Sequence, residues 1–245
     1  MTENFVIEIS FKTPMIASPR LTGDGILAGI AFQEHGDWMR AIAELPLATW
    51  EGVPHMSVVL PYTYATRAAE HVTLIRSFMR DMDHNPQMAT MLGAMPTRSA
   101  LRPDSGDLSN ISSSYTVYDI PKVYFLGRGN LTLVKAAFDE VPFLGPQRAK
   151  GFGEVEHVDA WTVQSNNPFY GIVGRHYGRT AVLRPVPKRL RQHLPEDLKH
   201  VTRRATWHNP YWPGHETAVV EDCLTPNFVP GEGFSAATIN MLGHL

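Results

Sequence analysis

A glycine-rich stretch with two cations, residues 145–155, is the part of this chain whose residue types are suited to binding chemistry. It reads Gly-Pro-Gln-Arg-Ala-Lys-Gly-Phe-Gly-Glu-Val and sets Arg148 and Lys150 among glycines, ahead of a strand-like segment. Glycine permits positive φ and close backbone approach, and successive amide N–H groups in such turns bind anions. Arg and Lys add further donors for phosphate. The stretch predicts a phosphate-binding loop, and a tight surface turn is the alternative that its composition leaves open.

The distribution of charge along the chain favours a polyanionic partner. The formal net charge is −2, yet residues 121–204 carry 14 Lys or Arg against 7 Asp or Glu, whereas residues 205–245 carry no Lys or Arg and 4 acids. Within the middle region, residues 171–204 hold nine cations and two acids. The local patch, rather than the net charge, sets the field that a polyanion meets. We expect nucleic acid as the partner; a solvated basic face or an acidic partner subunit is the alternative.

Motifs for catalysis are sparse in this sequence. The 11 histidines are scattered without an HxH or HExxH pattern, and the single Cys223 leaves no His-plus-Cys set for zinc. There is no GxSxG elbow and no GxxxxGK[ST] loop. We therefore expect no catalytic residue, no metal and no cofactor. The alternative is metal-independent RNA cleavage, which needs a general base and a nearby cation; His176 beside Arg175 and Tyr177 is the best candidate.

The composition is that of a globular protein of 245 residues, with 43% hydrophobic and 19% charged residues. This length allows one elaborated domain or two small ones. The polar N-terminus, Met1 to Asn4, does not have the pattern of a signal peptide, and no run of about 18 apolar residues predicts a membrane span. A lone cysteine cannot close an intrachain disulfide, so we expect a cytoplasmic protein.

The elements that must position the loop begin with a strand. Residues 5–11 alternate apolar with polar, which predicts one face on a core and one mostly polar face. A helix follows over residues 22–32, and its glycines would let it pack close to a sheet. Residues 56–60 are the best strand candidate in the next region. Apolar residues at spacings of three and four then predict a helix over residues 66–82.

The second half of the chain follows a similar order. Residues 115–125 predict strands on either side of Pro121, and the Gly-Arg-Gly of residues 127–129 predicts a turn. Asn130 is suited to cap a helix whose apolar residues recur up to Val141. The glycine-rich loop then leads into a strand over residues 154–163.

This order predicts an α+β chain with the ferredoxin-like β-α-β-β-α-β arrangement. We place that domain at residues 1–165 and a basic, then aromatic, extension at 166–245. Residues 84–114 lack periodicity and form a thumb-like insertion, with two interpretations open. Either Arg98 and Arg102 of a projecting hairpin touch a nucleic-acid backbone, or the insertion has no role. The aromatic end of the extension predicts an irregular arm that packs on its own domain or on a neighbouring subunit.

Several stretches, in this order and spacing, resemble one known family. They are the strand entering Thr13-Pro14, the segment LTGDGILA from Leu21, the run AELPLA from Ala43 and the glycine-rich loop, with LRPVP from Leu183 adding similarity further on. Together they resemble the Cas-five-like subunit of type IV CRISPR effector complexes, a member of the RAMP superfamily of RNA-binding proteins. The resemblance covers most of residues 4–188.

The resemblance implies a non-catalytic RNA-binding role. Such subunits cap one end of a crRNA ribonucleoprotein, hold the crRNA 5′ handle, and contact a Cas-seven-like backbone subunit and the large subunit; target DNA is met through the complex. A crRNA-processing endoribonuclease of the same superfamily is the alternative. Phosphate contacts would then give affinity, whereas stacking and base-edge hydrogen bonds would give selectivity.

The predicted RNA-binding residues come from three sources. The resemblance supplies the glycine-rich loop, position along the chain supplies the thumb-like insertion, and local charge supplies the basic block. The full set is Gly145, Arg148, Lys150, Gly151, Gly153, Arg98, Arg102, Arg128, Arg175, His176, Tyr177, Arg179, Arg184 and Lys188.

Overall fold

The computed structural model describes residues 2–15, 21–59, 70–76, 111–117, 120–145, 148, 151–176, 179–209, 211 and 220–226; the side chains of 70–76, 111–117 and 176 are outside this description. The strands are β1 (Glu3–Phe11), β2 (Thr49–Trp50), β3 (Val53–Pro54), β4 (Met56–Val59), β5 (Glu70–Arg76), β6 (Ile111–Val117), β7 (Lys122–Gly129), β8 (Val155–Thr162), β9 (Val173–His176), β10 (Arg179–Val182), β11 (Val186–Pro187), β12 (Val201–Thr206) and β13 (Val220–Thr225). The helices are α1 (Gly23–His35), α2 (Trp38–Ala43), α3 (Leu131–Asp139) and a 3-10 helix (Lys188–His193).

A four-stranded antiparallel sheet in the order β4-β7-β1-β8 forms the centre of the larger unit. Strand β1 is central, with Ile7 opposite Phe125 of β7 and opposite Ala160 of β8. The odd-numbered apolar residues of β1 pack against helices α1 and α3, where Leu27 and Phe138 join the same buried cluster. The chain is therefore a mixed α+β protein with an antiparallel sheet, as its alternating and helical patterns predict.

The two long helices, α1 and α3, begin at Gly23 and Leu131, where the sequence predicts. The side chain of Asn130 accepts a hydrogen bond from the N–H of Leu133 at 3.3 Å, which caps α3. At the start of α1, a Cβ on Gly23 would lie 2.7 Å from the sulfur of Met56 on β4. A larger residue at position 23 would have to displace the flexible side chain of Met56, so glycine lets the helix pack close to the sheet, as the sequence predicts.

The second face of β1 is also buried, and the prediction of a mostly polar face is wrong. Val6 is fully buried and Glu8 is only 8% exposed. Tyr170 and Leu183, from the chain after β8, pack on this side with Val6. Glu8 tolerates burial because Lys122, on the neighbouring strand, forms an ion pair with it. The later segment therefore covers this face at Val6 and at its neighbours on β4 and β7.

The chain after β8 forms a second layer on the same unit. Strands β9 and β10 make a two-stranded ribbon, and a three-stranded sheet runs in the order β11-β13-β12. Their core includes Trp207, Cys223 and Leu224. The described part of the aromatic tail therefore packs on its own domain, and it contains a regular strand, β13, where an irregular arm was expected.

Residues 69–117 form a separate compact unit, a division that differs from the predicted boundary at residue 165. Strands β5 and β6 pair antiparallel within it, with Glu70 opposite Val117 and Arg76 opposite Ile111. The helix predicted over residues 66–82 is wrong at 70–76, because a short apolar run rich in β-branched residues fits a strand once a partner strand supplies hydrogen bonds.

The remainder of the predicted insertion, with Arg98 and Arg102, lies outside the described residues. Residues 127–129 belong to strand β7 and do not form the predicted turn. A Cβ on Gly129 would lie 2.2 Å from the carbonyl oxygen of Pro46, so this glycine serves a close strand-to-loop approach. Among the described residues, no helix is long and apolar enough to cross a membrane.

Candidate nucleic-acid interface

The glycine-rich loop is fastened to the end of strand β1. The N–H of Gly153 donates to the carbonyl oxygen of Pro14 at 3.0 Å, and its own carbonyl accepts from Leu144 N at 2.8 Å. Glu154 N–H donates to the hydroxyl of Thr13 at 2.8 Å. A Cβ on Gly153, whose φ is +69°, would lie 2.0 Å from Leu144 O. Gly153 is therefore buried structural backbone, which corrects its predicted role at RNA phosphate.

The exposed part of the loop is smaller than predicted. The N–H of Gly151 is occupied by the carbonyl of Arg148 at 2.9 Å, so this amide does not project toward an anion. Gly151 is exposed, its φ is +84°, and no heavy atom lies near its absent Cβ. Arg148 is exposed, Gly145 is half-buried with φ +96°, and Lys150 lies outside the described residues. Among the described loop residues, Arg148 is the exposed cation, and the amides of Gly151 and Gly153 are already hydrogen-bonded within the protein.

Arg184 is the clearest departure from the predicted site. It is 3% exposed and forms an ion pair with the fully buried Asp24, with Nη1–Oδ1 at 3.3 Å and Nη2–Oδ2 at 3.4 Å. Its Nη1 also donates to the carbonyls of Pro54 and Met56 at 2.8 and 2.9 Å. Its Nη2 donates to the carbonyl of Trp207 at 2.8 Å. Arg184 joins helix α1, strands β3 and β4 and the end of β12, and it has no surface to offer RNA.

The carboxylate of Asp24 is shared with the C-terminal segment. Tyr211 O–H and Asn209 Nδ2 both donate to Asp24 Oδ2, the latter at 3.2 Å. Arg184 Nη2 also donates to the hydroxyl of Tyr211 at 2.7 Å. Burial tends to lower the pKa of Arg184, but Asp24 and Tyr211 together outweigh it and raise the pKa above its usual value. Each charge of the pair is hydrogen-bonded on several sides, which offsets the cost of burying it.

Two more cations of the basic block have partners on the protein. Arg189 lies 3.6 Å from Glu221 of β13. Arg191 donates to backbone carbonyls that follow the 3-10 helix, including those of Leu194 and Pro195. Arg204 is exposed and lies opposite Asp222 in the pairing of β12 with β13, but the two form no ion pair. The acidic end of the chain thus folds back onto the basic block and neutralises part of it.

Four exposed cations of the basic block lie on the ribbon β9–β10 or on the chain that follows it. Arg175 and Arg179 sit at its tip, one on each strand, and both are exposed. Arg175 lies opposite Thr180, so Arg175 and Arg179 point to opposite faces of the ribbon. Lys199 N–H donates to Thr180 O at 2.8 Å, which sets exposed Lys199 beside the ribbon, and exposed Arg203 follows on β12. None of these four cations forms an ion pair with another described residue.

Other members of the predicted set have varied placements. Lys188 is exposed at the start of the 3-10 helix. His176 lies in strand β9, but its side chain and Tyr177 are outside the description. Lys199 and Arg203 were not singled out from sequence, although both belong to the same run of positive charge. What singles them out is that they are exposed and have no acidic partner among the described residues, and both properties depend on the fold.

A polar cleft lies at the end of the central sheet, next to Arg128. It has a volume of about 480 Å³ and is bounded by the start of β1, the end of β7 and the segment after β8. Arg128 lies opposite Asn4 in the pairing of β7 with β1. Arg128 is half-buried as a residue, and among the described residues its guanidinium makes one long hydrogen bond, 3.5 Å, to the carbonyl of Pro168. The predicted cation at position 128 thus lines a concave surface.

The described residues hold no group of three or more His, Cys, Asp and Glu placed to bind a metal. His55 is 4% exposed, and its Nδ1 lies 2.8 Å from the carbonyl oxygen of Tyr170. Desolvation lowers the pKa of His55 below its usual value. This buried histidine packs behind the sheet and does not open to a surface where a substrate would bind.

No protein-family model matches this chain, and no curated protein matches its sequence at a significant level.

Proposed function

We propose that this chain is a non-catalytic RNA-binding subunit of a type IV CRISPR ribonucleoprotein. In this proposal it caps one end of the complex and holds the crRNA 5′ handle, next to a Cas-seven-like backbone subunit and the large subunit. The identity of the complex rests on the sequence resemblance. The RNA-binding role is carried by one observation: Arg175 and Arg179 on the two strands of the ribbon, Lys199 beside it and Arg203 further along the chain are all exposed and form no ion pair among the described residues.

The order of elements is consistent with the ferredoxin-like assignment within this proposal. Helix α1 separates β1 from β4, and helix α3 separates β7 from β8. The sheet order β4-β7-β1-β8 is the one expected when two β-α-β units interleave in an antiparallel sheet. We therefore assign the central sheet and its two long helices to a ferredoxin-like domain of the RAMP type.

The RNA would not lie on the sheet face. In RNA-recognition modules with an open four-stranded sheet, aromatic side chains of that face stack on bases. Here the face opposite the helices is covered by Tyr170 and Leu183. The RNA backbone must then follow the exposed cations of the ribbon and β12, together with Arg148 on the glycine-rich loop. Such binding depends on phosphate neutralisation and should weaken as salt rises.

The proposal is tested with the purified full-length chain and fluorescein-labelled repeat RNA, by fluorescence anisotropy. Exchanging Arg175 and Arg179 together for Ala should weaken binding by about 10-fold or more, because two charge-assisted contacts are lost. The matched control is the pair Arg40→Ala and Lys135→Ala. It removes the same charge from i,i+4 ion pairs on α2 and α3, and should change affinity less than about 2-fold.

The same samples, incubated without metal and run on a denaturing gel, separate the two candidate activities. Intact RNA with tight binding is expected. Discrete cleavage that disappears in His176→Ala would instead identify a ribonuclease. Absence of RNA binding by the wild-type chain, or equal weakening in the control pair, would refute the proposed role of the ribbon.

A further inference from the structure

The cleft beside Arg128 has a lining that differs from the basic ribbon. Side chains with carboxamides and hydroxyls predominate, and one cation and one carboxylate accompany them. The lining residues that matter here are Glu3, Asn4, Arg128, Gln164, Ser165 and Asn166. Carboxamides carry both donors and acceptors, which is the chemistry that recognises the polar edge of a nucleobase.

Hydrogen bonds hold the walls of the cleft in place. They do not use the rim side chains of Gln164 and Asn166, which can still bind a ligand. Asn4 Nδ2 donates to Ser165 O at 3.0 Å, and Val163 N–H donates to Asn4 O at 2.8 Å. The buried Asn167 accepts from Phe169 N–H and donates to Val173 O, both at 2.8 Å. These bonds fix the turn that follows β8. Its exposed neighbours therefore project from a preorganised support.

Two polar groups of the cleft have unused hydrogen-bonding capacity. Asn4 Oδ1 is buried and has no hydrogen-bond partner among the described residues. Among the described residues, the Arg128 guanidinium makes one long hydrogen bond, to Pro168 O. Gln164 and Asn166 are exposed at the rim. A volume of about 480 Å³ is within the range of small-molecule sites, which runs from roughly 300 to 1,000 Å³.

We infer that this cleft receives one unpaired nucleotide of the bound RNA, an inference that rests on the proposed function. Arg128 takes the phosphate. The rim carboxamides of Gln164 and Asn166 meet the polar edge of the base, and Glu3 accepts from an exocyclic amino group. The ribbon supplies affinity that is indifferent to sequence, whereas the cleft supplies base selectivity. A free nucleotide presents the same groups, so the test must separate these two sources.

The test compares fluorescein-labelled single-stranded octamers of A, C and U on the full-length protein. The wild-type chain is expected to favour one octamer over another by about 10-fold, the effect of one or two base-edge hydrogen bonds. Exchanging Gln164 and Asn166 together for Ala should reduce that ratio to about 3-fold or less. The matched control replaces Gln33 and Gln192 with Ala. These two glutamines are exposed outside the cleft, so the ratio of affinities for the two octamers should stay as in the wild-type chain.

Arg128 is tested by the salt dependence of binding, which a purely structural role would not alter. Arg128→Gln should lower the magnitude of the slope of log affinity against log salt by about 0.7, the value for one phosphate contact on a single strand. An unchanged slope would overturn the assignment of phosphate to Arg128.

The outcomes distinguish this inference from the proposed function. If the wild-type chain binds all three octamers and the Gln164, Asn166 double variant keeps the same ratio, the inference fails while RNA binding stands. If the wild-type chain binds none of them, both fail. Free AMP, CMP or UMP at millimolar concentration should not displace the RNA. Tight binding of a mononucleotide in the absence of RNA binding would reassign the cleft to a free nucleotide and overturn the inference.

Discussion

Replacing Arg184 with Ala should destabilise the fold strongly, whereas replacing Arg175 with Ala should not. The two arginines stand in the same basic run, but Arg184 is 3% exposed and Arg175 is exposed. The guanidinium of Arg184 makes six hydrogen bonds, to the two Asp24 oxygens, to the carbonyls of Pro54, Met56 and Trp207, and to the hydroxyl of Tyr211. Its removal therefore leaves a buried carboxylate and three buried carbonyls without their donor.

The expected loss follows from that arrangement. Removing one partner of a buried ion pair costs about 3–5 kcal/mol, because the remaining charge stays away from water. The hydrogen bonds that Tyr211 and Asn209 donate to Asp24 remain, which keeps the loss within that range rather than above it. For a chain of this size, each kcal/mol lowers Tm by about 2–4 °C, so Arg184→Ala should melt roughly 6–20 °C lower. Arg175→Ala should change the free energy of unfolding by less than about 0.5 kcal/mol.

Urea unfolding followed by circular dichroism, with thermal melts in parallel, measures both variants. A double-mutant cycle with Asp24→Asn and Arg184→Met should give a coupling free energy of about 1–3 kcal/mol, since the two side chains share one network. The reasoning is refuted if Arg184→Ala is as stable as Arg175→Ala and the folded Arg184→Ala protein has lost RNA affinity. That result would make Arg184 an RNA contact, as its sequence context alone suggests.

Two further predictions concern the buried Gly153 and the buried histidine His55. Gly153→Ala should destabilise the fold by at least about 1 kcal/mol more than Gly151→Ala, because a Cβ at 153 would lie 2.0 Å from Leu144 O whereas one at 151 meets only open space. Both variants carry the cost of positive φ, about 1–2 kcal/mol; urea unfolding of the two variants gives the difference. Burial lowers the pKa of His55 in the folded chain, so the unfolded state binds the proton more readily as pH falls below about 6.5. His55 therefore lowers stability increasingly on the acid side, and unfolding midpoints at pH 7.5 and pH 5 should converge in His55→Asn, which retains a donor toward Tyr170 O.

These two experiments carry their own controls. For the glycines, equal destabilisation by the two alanines would show that positive φ alone, and not the approach to Leu144, decides the cost. For the histidine, the exposed His193→Asn removes a histidine without removing the buried one. A pH dependence in His55→Asn as steep as that of the wild-type chain would show that burial of His55 does not contribute to acid sensitivity.

Local patterns predict the elements whose signals lie within a few residues. Three signals are of this kind: the Asn130 cap, the periodicity that follows it and the alternation in β1. The elements that they predict form where expected. The helix expected over residues 66–82 does not form at Glu70–Arg76. This segment is a strand, because it pairs with a second strand about forty residues further along the chain. Spacing of apolar residues in so short a run does not distinguish the two outcomes.

The candidate site is harder to predict because charge in sequence does not report exposure. Arg175 and Arg184 are equivalent by composition, and only the packing of Asp24, 160 residues earlier, separates a surface cation from a buried one. The alternation of apolar and polar residues in β1 likewise suggests a solvent-exposed face, because residue type alone does not report burial. The residues that close this face, Tyr170 and Leu183, belong to a later layer of the fold. Long-range burial therefore determines which of the predicted residues remain available to RNA.

The central claim is that the exposed cations at the ribbon, rather than the basic run as a whole, neutralise RNA phosphates. It is tested most directly by the slope of log affinity against log salt for labelled repeat RNA. Each phosphate contact on a single strand contributes about −0.7 to this slope, so exchanging Arg175 and Arg179 for Ala should reduce its magnitude by about 1.4. A slope that is the same in both proteins would contradict the claim.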